Sequence, residues 1–189
     1  MRESIVIAAS GIFSKFGFRK TTMDDIAKSI RKGKSSIYYY FRNKEDIFEA
    51  VLEMEVLILK SKLEEAVDKK KHHKDKLKTY IITRMEGFGS LINFYNAIRN
   101  EYLSQFEFIE RIRNKYDQEE IGIIQGIFDE GIEMGEFEIE DTYLAAVAMV
   151  TSMKGFEIPL YITSKKGQNI EQRVDKLLKM LYDGIAKRD

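Results

Sequence analysis

The chain has 189 residues, a single proline, no cysteine and no tryptophan, and 44% of it is hydrophobic. That length suits one domain or two small ones, and the apolar content excludes wholesale disorder. Basic and acidic side chains cancel at 31 each, yet residues 1–45 hold ten basic against four acidic, a net +6, and the remainder 21 against 27, a net −6. A basic head on an acidic body points to a polyanion partner for the head alone.

The missing cysteines remove disulfides, thiolate zinc sites and cysteine nucleophiles together. The uncharged stretch Thr142 to Met153 is too short to cross ~30 Å of hydrocarbon, and no secretory signal opens the chain. The expected protein is all-α and cytoplasmic, with no membrane partner.

Ile5, Ala8, Ala9, Ile12, Phe13 and Phe16 recur with the period of one helical face, and Gly17 is placed to end that helix. Thr22-Met23-Asp24-Asp25 reads as a capping box opening a second helix, whose short buried face is Ile26, Ala27 and Ile30. That helix stops by Gly33. Lys34 to Phe41 then forms a third helix of about two turns, with Ile37, Tyr40 and Phe41 on its inner face. Asn43 caps a fourth helix with Glu45 and Asp46 in its first turn. Two short helices around a glycine-containing turn make a helix-turn-helix, and the third helix carries hydroxyl, phenol and ammonium groups suited to a major groove.

The ordered pattern Ile5-x-x-Ala8-Ala9-x-x-Ile12-Phe13-x-x-x-Gly17, Thr21-Thr22-x-x-x-Ile26-Ala27 and Ile37-Tyr38-Tyr39-Tyr40-Phe41-x-x-Lys44-Glu45-Asp46-Ile47 resembles the DNA-binding domain of the tetracycline-repressor (TetR) family. The resemblance implies an N-terminal three-helix DNA reader, residues 1–46. A long helix would join it to a helical ligand-binding and dimerisation domain, residues 47–189. It also implies a homodimeric, ligand-responsive transcriptional repressor that binds a palindromic operator in double-stranded DNA, with no enzymatic activity, cofactor or metal. Carried over position by position, Thr22 would hold a phosphate at the start of the second helix. Lys34, Ser35, Ser36 and Tyr38 would face the major groove, and Tyr39 and Lys44 would bind backbone phosphate. One stretch departs from the family: Arg31-Lys32-Gly33 stands where Gly-Val-Ser is usual. Lys32 cannot supply the valine's apolar area, so a looser, more basic turn is expected, with room for extra phosphate contacts from Arg31 and Lys32.

Helix four should run through Ile47, Val51, Met54 and Ile58 and end at Lys69-Lys70-Lys71-His72-His73-Lys74, a solvated loop whose adjacent histidines point apart. Apolar helical periods resume over Leu77–Leu91, Phe94–Leu103 and Phe106–Ile132. Gly122, Gly126 and Gly131 in the last block allow close packing, ligand room or a bend. Asp141 caps the next helix, which Pro159 must kink or end, and Ile170 to about Ala186 forms the last. These two would pair with their symmetry mates in the dimer, or simply close a monomer core.

Phe88, Tyr95, Tyr102, Phe128, Met149 and Met153 would build either ordinary core or, with Arg99 as a polar guide, a pocket for a partly apolar small-molecule effector. Arg84, Glu86, Asn93, Asn96 and Glu101 are further polar candidates. Against an enzyme, the carboxylates Glu119-Glu120 and Glu138-Glu140-Asp141 sit on surface-like runs, and no catalytic motif is present. A third class, a helical adaptor that has kept the head without DNA specificity, has only the altered turn in its favour.

Overall fold

The computed structural model describes residues 1–88, 91–99, 107–162 and 170–185. Among them are nine α-helices and no strand: α1 Arg2–Phe16, α2 Met23–Ser29, α3 Lys34–Tyr38, α4 Lys44–Asp68, α5 His73–Phe88, α6 Ile92–Arg99, α7 Glu107–Glu133, α8 Thr142–Ile162 and α9 Ile170–Ile185. The all-helical expectation holds. The chain divides into two compact units, one of residues 1–58 and 90–113 and the other of 59–89 and 114–189.

In the first unit, α1 buries Ile5, Val6, Ala9 and Phe13. Phe13 meets Phe48 of α4 edge-on at 5.0 Å, and Phe18 lies 4.8 Å from the same ring. This aromatic trio fills the centre of the head, where each buried ring contributes ~1.5–3 kcal/mol. The Gly17 amide bonds to Phe13 O with φ 79°, closing α1 as its sequence implies. Asn43 caps α4 through a 2.7 Å bond from the Asp46 amide.

Glu55 of α4 is buried, and its carboxylate accepts the Phe94 amide at 2.9 Å and both the amide (3.3 Å) and side-chain nitrogen (2.8 Å) of Asn93. It therefore satisfies orphan donors at the start of α6. Burial pushes this carboxyl above its usual 4.5, against the downward pull of those N–H bonds. The Asn93 amide also reaches Ser10 O and Oγ of α1, both at 3.2 Å.

The second unit is organised around two polar clusters that the sequence did not suggest. Glu120 is fully buried, paired through both oxygens with Arg84, and accepts the Tyr80 hydroxyl at 2.9 Å. Its surface-like sequence context was misleading: α7 turns Glu120 inward while neighbouring Glu119 stays partly exposed and pairs with Lys60 at 3.2 Å. His73 likewise departs from the solvated loop expected for it. It opens α5, is buried, and sets Nδ1 against Glu136 and Nε2 against Glu130, both at 3.2 Å. The next residue back, His72, is exposed as expected. Among the described residues no group of three or more His, Cys, Asp or Glu is arranged to hold a metal ion.

Helix α7 ends at Glu133 with Gly135 at φ 71°. A Cβ on Gly131 would collide with the Phe137 ring and come within 3.1 Å of His73 Cβ, so this glycine permits close packing. Gly122 and Gly126 face open space instead. Asp141 caps α8 through the Leu144 amide at 2.8 Å. Pro159 does not end α8, which continues to Ile162, a placement that removes only one hydrogen bond near the helix end. In α9, Val174 and Leu178 are buried, as their stripe implies. No helix among the described residues is long and apolar enough to cross a membrane.

Candidate nucleic-acid interface

The capping box at α2 forms in full: Thr22 Oγ1 accepts the Asp25 amide at 3.2 Å and donates to Asp25 Oδ2 at 2.6 Å, and the Thr22 amide bonds back to Oδ2 at 2.9 Å. These bonds from Thr22 hold the Asp25 carboxyl below its usual range. They also fix the start of α2, leaving Thr22 itself exposed.

Helix α2 ends in a Schellman arrangement, with the Arg31 amide on Lys28 O and the Lys32 amide on Ala27 O, both at 3.0 Å. The residue that must turn left-handed is Arg31, at φ 54°. A side chain there costs ~1 kcal/mol relative to a relaxed turn. Lys32 is exposed and buries nothing, in keeping with its charge.

Gly33 is the N-cap of α3, whose regular part is shorter than the sequence implies, Lys34–Tyr38. Tyr39, Tyr40 and Phe41 continue as a tightening turn, with the Tyr40 and Phe41 amides both on Ile37 O at 2.9 and 3.0 Å. Ile37 is fully buried and Phe41 nearly so, anchoring the helix by its inner face. Tyr40 is not the core residue that helical spacing suggested. It is 40% exposed and lies edge-on to Tyr39 at 4.9 Å, because the tightened turn rotates it off the Ile37 face.

The remaining face of α3 is presented to solvent. Lys34 and Ser35 are exposed, Ser36 partly so, and Tyr38 and Tyr39 are 48% and 83% exposed. Lys34 is held 3.5 Å from Asp24 of α2 by a surface ion pair that water screens and DNA can displace. Two serine hydroxyls, two phenols and one ammonium thus share a rigidly seated two-turn segment. Such groups hydrogen-bond to phosphates and to base edges.

Lys44 is placed differently from its expected role on backbone phosphate. Its ammonium donates to Phe18 O at 2.8 Å and Thr21 O at 2.9 Å, and lies 4.3 Å above the centre of the Phe18 ring. Burial pushes the group below its usual 10.5. It fastens the α1–α2 connection from the start of α4. The sequence showed a lysine at the right spacing but not which way it turned.

The candidate pocket residues are dispersed through the elements. Phe128 of α7 and Met149 and Met153 of α8 are buried in the core of the second unit, with Phe128 edge-on to Phe137 at 5.7 Å. Phe88 ends α5 and Tyr95 and Arg99 lie on α6; their side chains, like Tyr102 and Glu101, fall outside the described residues. Arg84 and Asn93 are engaged by internal partners, and Glu86 and Asn96 are exposed. A surface groove of about 540 Å³ opens between α1 and α2, lined by Ile12, Phe16, Lys20, Thr21, Asp25, Lys28 and Ser29, and Phe128, Met149 and Met153 are not among the residues lining it.

A short seated helix and its closing turn, offering hydroxyl, phenol and ammonium groups behind a capped helix and a tight turn, form a helix-turn-helix of the DNA-binding kind. Residues 5–51 match the family model for bacterial regulatory proteins of the tetR family. The chain is 25% identical to the HTH-type transcriptional regulator QacR of Staphylococcus aureus, over 99% of both proteins. It is 42% identical over 53 residues to the biofilm operon negative transcriptional regulator IcaR of Staphylococcus epidermidis, covering 28% of this chain and 29% of that one. A crystal structure of a transcriptional regulator from Cytophaga hutchinsonii superposes with a TM-score of 0.78 at 25% identity, covering 98% of each chain. Its head, residues 5–51, matches the tetR family of bacterial regulatory proteins, and the chain resembles transcriptional regulators along its whole length.

Proposed function

We propose that the protein is a repressor that binds a palindromic operator as a homodimer and releases it when a small, partly apolar molecule occupies the body. The exposed face of α3 carries this reading, with Lys34, Ser35, Ser36 and Tyr38 on base edges and phosphates of the major groove and Tyr39 and Thr22 on the backbone. Lys44 acts one step back, by holding the α1–α2 connection to which Thr22 belongs. The DNA reader is residues 1–46, and the rest carries effector binding and dimerisation. That IcaR is named a negative regulator favours repression.

Dimerisation is favoured by a stripe of α8 that is left exposed among the described residues. Leu144, Ala148, Thr151 and Gly155 are all exposed at helical spacing, with Leu144 at 63%, and on α9 Met180 is 75% exposed. An exposed, partly apolar stripe of this kind can serve as the self-complementary patch of a two-fold dimer. Phe88, Tyr95, Arg99, Tyr102, Phe128, Met149 and Met153 remain the residues proposed to meet the effector. No turnover is proposed: the buried carboxylate Glu120 is neutralised by Arg84.

Sedimentation of the purified chain with a mixed-sequence DNA duplex tests the reading. Two chains per bound duplex are expected, with log Kd rising steeply with log salt as several phosphate contacts are lost. A monomer whose binding ignores salt, or that binds no duplex at all, would favour the adaptor class instead.

A further inference from the structure

The α2–α3 turn carries a strained residue that the fold itself does not need. Among the described residues Arg31 is the one non-glycine with positive φ, at 54°. The same Schellman closure ends α7, with the Gly135 amide on Ile132 O at 3.0 Å and the Glu136 amide on Gly131 O at 2.8 Å, and there the left-handed position is glycine, φ 71°. One chain thus uses both solutions. Glycine makes this turn without steric cost, so all that arginine adds at position 31 is its side chain.

That side chain is exposed, and no ion pair, hydrogen bond or ring contact engages it among the described residues. Most other cations of the head have local partners: Lys34 pairs with Asp24, Arg42 with Asp46, Lys44 with two carbonyls, and Arg2 and Lys15 lie over Phe41 and Phe16. Arg31 stands two residues before the N-cap of α3, with exposed Lys32 beside it. Backbone strain retained at a position where it contributes nothing to folding marks a functional constraint. A guanidinium fits a phosphate through two parallel hydrogen bonds.

We propose that Arg31 is a DNA-backbone contact of the helix-turn-helix, gripping the phosphate beside the entry of α3 into the groove. This rests on the DNA-binding reading above. The proposal makes stability and binding move in opposite directions. Replacing Arg31 by glycine relieves the turn and removes the contact.

The test compares the full-length wild type with Arg31→Gly, Arg31→Asn and Arg31→Lys on one mixed-sequence duplex across a salt series, with thermal unfolding of each protein in parallel. Glycine and asparagine both accept the left-handed turn. The expected result is that Arg31→Gly raises Tm by roughly 1–4 °C, weakens binding several-fold, and lowers the slope of log Kd against log salt by ~0.9. Arg31→Asn should lose the same slope, and Arg31→Lys should keep it. A wild type that binds duplex with a steep slope, beside an Arg31→Gly protein whose affinity and slope are unchanged, overturns this assignment and leaves the regulator intact. A wild type that binds no duplex overturns both.

Discussion

Lys44 separates two roles that a sequence pattern cannot distinguish. Its ammonium rests on Phe18 O and Thr21 O at 2.8 and 2.9 Å and faces the Phe18 ring. Lys44→Met keeps the aliphatic stem and removes only the charge. A hydrogen bond to a charged group is worth ~1.5–3 kcal/mol net, but here two bonds share one ammonium in a half-buried site where water replaces part of the loss. The combined cost is then ~2 kcal/mol, which for a chain of this size lowers Tm by ~4–8 °C. Thermal unfolding by circular dichroism reads that shift. On DNA, two of the three ammonium protons already belong to protein carbonyls, so the salt slope of binding should stay near wild type, whereas Lys34→Ala should lower it by ~0.9. An unchanged Tm together with a slope reduced by ~0.9 would instead make Lys44 a phosphate ligand.

Two further outcomes follow from the first unit. Burial raises the Glu55 carboxyl above 4.5, so its protonated form is favoured by folding; the stability it adds is complete below 4.5 and is lost as pH rises through the raised value. Glu55→Gln exchanges one acceptor oxygen for a donor, costing ~1 kcal/mol, and removes this titration. The gap in Tm between wild type and variant should therefore narrow as pH rises above 4.5, and a gap that widens contradicts the sign. On the α3 face, Tyr38→Ala should reduce the preference for operator over mixed-sequence DNA by ~1–3 kcal/mol. Competition binding measures it, and an equal loss on both duplexes would make Tyr38 a positioning contact only.

Features set by neighbours in the chain were readable from the sequence. The Thr22–Asp25 capping box, the Asn43 and Asp141 caps and the Gly17 stop each depend on residues within four positions, and all form. Features set by distant partners were not. Glu120 looks like surface until Arg84, 36 residues away, is seen to meet it, and His73 looks like loop until Glu130 and Glu136 enclose it across 57 and 63 residues. Tyr40 failed for a local reason. Helical spacing puts it beside Ile37, but a short helix that tightens after Tyr38 no longer keeps that spacing. At the candidate interface, spacing placed the residues of α3 on an exposed face, whereas the inward turn of Lys44 and the left-handed backbone of Arg31 are set by three-dimensional contacts and backbone geometry that spacing does not encode.

On the proposed reading, the head recognises sequence as half of a symmetric pair. The most direct measurement is selection of bound fragments from the source genome at ~150 mM salt, near physiological ionic strength, followed by competition against random DNA. The expected result is an enriched palindrome whose half-sites lie about one helical turn, ~34–36 Å, apart. Binding without enrichment of any palindrome would contradict it, and would leave the basic head acting through charge alone.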